Sequence, residues 1–201
     1  MPEDWLNDDP AKQGPHPLTF DLVVDFLQKH ELVFLADASR DLVHLTMEGI
    51  RGSHQVRIAV NTDGQILAIY VTMPYRMGSY ITAVSSLRDD PVEALRLHAR
   101  CLEALLYMNW TTQLPKFSLD LRDGEVRAET YIDVEDSGIT DEQFIRYLWA
   151  TVRAADRYLE VVPRLRFSGG EAQAVVAQAD EEYAQLVALT QSADSDDEDL
   201  D

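Results

Sequence analysis

The sequence has little cysteine, few basic residues and no long hydrophobic run. Its one cysteine, Cys101, cannot form a disulfide within the chain, so a reducing, cytoplasmic location is expected. No apolar segment approaches the roughly 20 residues that a membrane-spanning helix requires. The first residues lack the basic and apolar regions of a signal peptide. These absences predict a soluble protein that acts away from membranes.

The shortage of basic residues gives the chain a strong negative charge. Its 17 Lys and Arg face 36 Asp and Glu, and the formal net charge is -19. Such a field repels phosphate backbones and anionic lipid surfaces, which disfavours direct nucleic-acid and membrane binding. It favours a protein partner with a basic surface, because opposite charges speed encounter. The alternative is that the charge only confers solubility.

No motif in the sequence points to catalysis. There is no pair of histidines at a zinc-binding spacing, no Cys-x-x-Cys, no Gly-x-Ser-x-Gly and no phosphate-binding loop of the Walker type. Cys101 lies among apolar helix residues, where a cysteine acts as a small hydrophobe. We therefore expect no enzyme activity, no cofactor and no metal. One alternative stays open, a hydrolase-type enzyme whose site is assembled from dispersed Asp, Glu and His residues.

The first half of the chain predicts a helix followed by four strands. Thr19 is an N-cap candidate, and apolar residues recur at helical spacing from there to about His30. Asp63-Gly64 separates two strand patterns and is a strong hairpin signal. The predicted strands lie at residues 32–36, 42–47, 55–60 and 66–73.

The second half predicts three helices and a second hairpin. Pro91 opens a helix whose apolar residues cover much of its circumference, which is typical of a central or interfacial helix. Asp123-Gly124 joins two strands, and the Thr140 capping box starts the next helix, which Pro163 is expected to end. After a glycine hinge at 168–170, a last helix is predicted over 171–190.

These elements predict an α+β fold, an antiparallel sheet with helices packed on one face, plus an extra C-terminal helix. The predicted organisation is a flexible N-terminal arm at 1–17, a domain at 18–167, an amphipathic helix at 171–190 and an acidic disordered tail at 191–201.

Two apolar surfaces are candidates for partner binding. A stretch rich in methionine and tyrosine is the candidate client surface, since these residues are common in interfaces; its alternative role is to fill the core. It comprises Leu67, Ile69, Val71, Met73, Tyr75, Met77 and Tyr80. The candidate dimer interface comprises Leu95, Leu102, Leu106, Val176, Tyr183 and Leu186.

The order of elements over residues 19–167 resembles the YbjN-domain family, which shares the type III secretion chaperone-like fold. The likeness is carried by the helix Thr19–Lys29, the strand segments 32–35 and 42–45, the link from Asn109 to Phe117, and above all the segment 138–144, Gly-Ile-Thr-Asp-Glu-Gln-Phe. It implies a small α+β unit, commonly dimeric, that acts by binding protein. The family supplies no catalytic residues to transfer.

The function expected from these observations is that of a non-catalytic adaptor or chaperone-like regulator. We expect a homodimer that binds a protein client through apolar surface, with the acidic field steering the encounter. A further alternative is an acidic partner of a basic nucleic-acid-binding protein.

Overall fold

The structure is a computed structural model that describes residues 16–61, 63, 65–77, 91–120, 122–134, 138–168 and 170–198. This part of the chain contains six strands, which form one sheet, and five helices. In chain order they are α1 (Phe20–Lys29), β1 (Phe34–Asp37), β2 (Leu42–Glu48), β3 (Ser53–Asn61), β4 (Ile66–Arg76), α2 (Pro91–Thr111), β5 (Lys116–Leu119), β6 (Glu125–Asp133), α3 (Asp141–Arg157), α4 (Val161–Ser168) and α5 (Ala172–Glu198).

The six strands form one antiparallel sheet in the order β1-β2-β3-β4-β6-β5. Both predicted hairpins are present, β3 with β4 and β5 with β6. In the second, Gly124 takes a φ of 75°, a left-handed conformation that glycine adopts without a steric cost. The predicted α+β fold with an antiparallel sheet is confirmed, and β1 and β5 are its edges.

The two faces of the sheet differ in chemistry. Helix α3 packs on β3, β4 and β6 and covers the apolar face. One ladder of paired residues on that face is buried throughout and consists of Leu45, Val56, Val71, Ala128 and Phe117. The neighbouring ladder points to the opposite face and consists of Leu35, His44, Arg57, Tyr70, Glu129 and Lys116. Helix α3 therefore covers the face whose ladder is apolar throughout, and the ladder of the opposite face is mostly polar.

Two predicted helix starts are confirmed in atomic detail. The hydroxyl of Thr19 accepts a hydrogen bond from the Leu22 amide at 3.0 Å and caps α1. At α3, the Thr140 hydroxyl accepts from the Gln143 amide at 3.2 Å, and the Gln143 side chain accepts from the Thr140 amide at 3.0 Å. These reciprocal bonds satisfy amides that have no partner inside the helix.

Two predicted boundaries differ from the structure. Helix α3 ends at Arg157, and Pro163 lies in the first turn of a separate helix, α4, instead of ending a helix. Proline is tolerated there because a first-turn residue needs no amide for the helix ladder. Helix α5 continues to Glu198, beyond the predicted 171–190, and so includes part of the stretch that was predicted to be a disordered tail.

Candidate protein-binding surface

Helix α2 buries one side and leaves a second apolar side in solvent. Its buried side comprises Leu97, Cys101, Ala104, Leu105 and Met108, and the helix contacts α4, α5 and β5. Its exposed side comprises Val92 (55% exposed), Leu95 (68%), Leu102 (36%), Leu106 (71%) and Trp110 (88%). We call these five residues the α2 face. Their spacing of three, seven, four and four residues places them along one side of the helix.

The α2 face is unusual for the surface of a monomer. Scattered exposed apolar residues are common, but a continuous row of large ones marks a binding site or an aggregation hazard. Charged residues accompany the row, since Glu93 is 3.8 Å from Arg96 and 3.2 Å from Arg100 in ion pairs. An apolar strip with a polar border is the arrangement found in protein interfaces.

The predicted dimer residues divide between surface and core. Leu95, Leu102 and Leu106 belong to the α2 face. Val176 and Tyr183 are buried within their own chain, because α5 packs back on α2 and α4. Their assignment to an interface is therefore corrected, and the partly buried Leu186 adjoins this packed segment.

The predicted client surface on β4 is also corrected. Six of its residues are at most 4% exposed and form part of the core: Leu67, Ile69, Val71, Met73, Tyr75 and Met77. The physical reason is that β4 lies inside the sheet, between β3 and β6, with its apolar side against α3. The seventh residue, Tyr80, lies outside the described residues.

A second exposed apolar site lies at the edge of the sheet. Val33, just before β1, is 88% exposed and Leu35, within β1, is 77% exposed. The strand was predicted from the sequence, but its exposure was not. The available signal was the uninterrupted apolar run from Leu32 to Ala36, which lacks the polar alternation of a half-buried strand. An apolar edge strand can pair with another chain.

A buried carboxylate organises the turn between β2 and β3. Asp156 of α3 has no solvent exposure, and its carboxylate accepts hydrogen bonds from His54 Nε2 at 2.8 Å and from the amides of Ile50 and Arg51 at 2.8 and 3.0 Å. Burial alone would raise the pKa of Asp156, but these hydrogen bonds lower it below its ordinary value. Gly49 leaves the necessary room, since an added Cβ would lie 2.5 Å from the carboxyl carbon. The cluster holds the turn against α3.

An ion-pair network fastens α5 to the same region. Arg164 of α4 donates to Glu182 of α5 at 2.8 and 2.6 Å and to Glu160 at 3.2 Å. The guanidinium of Arg51 is 3.3 Å from Glu160 and 3.5 Å from Glu182. The hydrogen bond from Arg164 lowers the pKa of Glu182 to about 2, so this carboxylate stays charged at neutral pH. The network thereby joins the β2–β3 turn, α4 and α5.

Two features of the described residues concern metal binding and the reactivity of the one cysteine. The described residues contain no group of three His, Cys, Asp or Glu side chains that could hold a metal ion. Burial raises the pKa of the Cys101 thiol to about 11, so the nucleophilic thiolate is scarce at neutral pH.

No helix of the described part is long and apolar enough to cross a membrane.

Fold and surface together define a class: an α+β protein with a helix-covered antiparallel sheet and an apolar surface suited to protein contact. The predicted resemblance to the YbjN family is confirmed by a match of residues 91–164 to its model, which is described as "Putative bacterial sensory transduction regulator". That segment includes the whole of α2 and α3.

Three solved structures are among those that are similar to this chain. The crystal structure of YbjN from E. coli has a TM-score of 0.49 and 14% identity and covers 75% of this chain and 95% of its own. A chain of the HopA1–SchA chaperone–effector complex has a TM-score of 0.43 at 15% identity, covering 70% of this chain and 94% of its own. A chain of the ExsC–ExsE complex has a TM-score of 0.43 at 13% identity, covering 71% and 92%. A search of curated proteins gives no significant match.

Proposed function

We propose that this chain is a non-catalytic protein-binding adaptor or regulator, and the α2 face is the observation that carries the proposal. Its five residues expose apolar area to water, and association would bury that area. Each Å² of apolar area buried contributes about 25 cal/mol of favourable free energy. A neighbouring protein surface would supply the cover that the chain's own helices do not give.

The proposed occupant of the α2 face is a second copy of the chain. Antiparallel or parallel packing of two α2 helices across a twofold axis would place Leu102, near the middle of the helix, close to its counterpart. Leu95 and Leu106 would flank it, and Trp110 would supply the large aromatic contact that interfaces favour. A self-complementary strip of this kind suits a symmetric dimer.

Light scattering tests this proposal at micromolar concentration. The wild-type chain is expected at twice its monomer mass of 22.7 kDa, and Leu106→Glu at the monomer mass, because the interface would bury an unpaired charge. The matched control is Leu189→Glu, which changes a leucine of similar exposure, 65% against 71%, on α5. A monomeric wild type, or equal dissociation by both variants, would overturn the α2 dimer.

The client would then bind at the β1 edge, with acidic residues of the chain attracting a basic client surface. Val33 and Leu35 offer side-chain contacts there, and an edge strand offers main-chain hydrogen bonds to an extended segment. Proteins that co-purify with the tagged chain are compared for the wild type and for Val33→Lys with Leu35→Lys.

A client of this edge should be lost from the double variant and retained by the control Phe167→Lys with Leu189→Lys, which adds the same charge at two exposed apolar residues elsewhere. Identical protein sets from all three chains would remove the β1 edge from the proposal. This result would leave the dimer test unaffected, because the two tests use different surfaces.

A further inference from the structure

A groove of about 860 Å³ lies between α3 and α5, beside the β2–β3 turn. At its base lie two buried side chains, Val152, which is fully buried, and Tyr183, which is 5% exposed. Trp149, Ile50 and Val187 add apolar walls. The volume lies within the range of about 300–1,000 Å³ that is usual for small-molecule sites.

Two guanidinium groups line the groove, one helical turn apart on α3. The guanidinium of Arg153 lies 5.9 Å from the ring centre of Trp149, and that of Arg157 lies 5.5 Å from the ring centre of Tyr183. Each cation is held against an aromatic wall, so both positive charges are placed at the boundary between the apolar groove and water.

The two cations differ in how far they are neutralised. Arg157 is 3.7 Å from Asp180, yet its Nε and the Oδ1 of Asp180 are both buried without a hydrogen-bond partner among the described residues. Within the described ranges, no carboxylate lies at ion-pair distance from Arg153. The remaining acid of the lining, Glu48, accepts hydrogen bonds from the Ser53 hydroxyl. The groove thus has one exposed arginine, Arg153, without a counter-charge among the described residues, and one buried donor, Nε of Arg157, without an acceptor.

We propose that the α3–α5 groove binds a small carboxylic acid with an aromatic or aliphatic body. The body would lie against Trp149, Ile50 and Val187, the apolar side chains of the lining that are partly exposed, and the carboxylate would pair with the guanidinium of Arg153. Such a pair is a charge-assisted hydrogen bond, about twice as strong as a neutral one. A neutral or cationic molecule of the same shape would leave Arg153 without a counter-charge. This site is separate from the α2 face and does not depend on the proposed function.

Calorimetric titration of the full chain with 1-naphthaleneacetate tests the inference. We expect saturable binding at one site per chain, and at least about tenfold weaker binding of 1-naphthaleneethanol, which lacks the carboxylate. Arg153→Gln should weaken 1-naphthaleneacetate binding by a similar factor. The matched control is Arg146→Gln, which removes an exposed arginine from the same helix outside the groove.

A filling variant locates the site without removing charge. Ala184 is exposed and lines the groove, so Ala184→Trp should occupy the space and abolish binding while circular dichroism shows an unchanged fold. Equal affinity of Arg153→Gln and Arg146→Gln would overturn the inference, as would unchanged binding by Ala184→Trp. Failure of 1-naphthaleneacetate, phenylacetate and decanoate alike to bind the wild type would also overturn it.

Discussion

Asp156 is a fully buried carboxylate that accepts hydrogen bonds from two amides of the β2–β3 turn and from His54 of β3, about 100 residues earlier in the chain. We expect Asp156→Ala to lower the free energy of unfolding by about 3 kcal/mol, because it leaves His54 and two amides buried without an acceptor. Urea denaturation at neutral pH measures the change. The control, Asp25→Ala, changes an exposed aspartate of α1 and should stay within about 0.5 kcal/mol of wild type.

The lowered pKa of Asp156 also predicts how stability depends on pH. A carboxyl whose pKa is lower in the folded than in the unfolded chain stabilises the fold above its unfolded pKa of about 3.9. That contribution is lost as the pH falls through the folded pKa. Between about pH 5 and pH 2, wild type should therefore lose more stability than Asp156→Asn, which cannot titrate. Parallel losses in the two chains would show that Asp156 has an ordinary pKa.

The sequence could not reveal this cluster, and the reason is physical. His54 occupies a buried position of β3, and Asp156 lies near the end of an amphipathic helix, where an acid normally faces water. The pair forms only because α3 crosses β3, a tertiary contact that no local pattern encodes. The charged groups of the α3–α5 groove were missed for the same reason, since α3 and α5 supply them from positions that look like ordinary solvated faces.

At the level of elements, α5 packs its apolar side on α2 and α4, and ion pairs of Glu182 with Arg164 and Arg51 add to that contact. Glu182→Gln removes the charge that pairs with Arg164 and Arg51, and we expect a loss of about 1 kcal/mol, because the site is partly exposed to solvent. Hydrogen exchange of the α5 amides should become faster while the sheet amides change little. The matched control is Glu181→Gln, an exposed neighbour on the same helix. Equal exchange in both variants would contradict a specific role of Glu182.

Periodicity and caps were sufficient to predict most elements. The two Asp-Gly turns were enough to predict the two hairpins, and Thr19 and Thr140 were enough to predict two helix starts. Turns and caps can be predicted in this way because each depends on local chemistry. The client surface was misassigned because a continuous apolar run on β4 is equally consistent with an interface and with a central strand. On α2, apolar residues surround much of the helix, so the sequence did not predict which side packs against α5 and which side is exposed to water.

At the level of the whole molecule, net charge acts against self-association and in favour of a basic client. Two copies, each with a formal charge of -19, repel one another, so added salt should tighten the proposed dimer. A client with a basic surface should show the opposite response and bind more weakly as salt rises. Sedimentation velocity at about 50 and 500 mM NaCl measures both effects. A dimer that weakens with salt would mean that ion pairs, and not the α2 face, hold it together.

The long reach of the Asp156 cluster has a consequence for the order of folding during synthesis. The β2–β3 turn leaves the ribosome well before its acceptor, because His54 and Asp156 are 102 residues apart. Until then, the turn amides and the His54 ring must be hydrated, and the first four strands lack the helix that covers them. Contacts this distant in sequence make folding slow. The apolar side of the first four strands is therefore exposed to water in the nascent chain until α3 has been synthesised and packs on it.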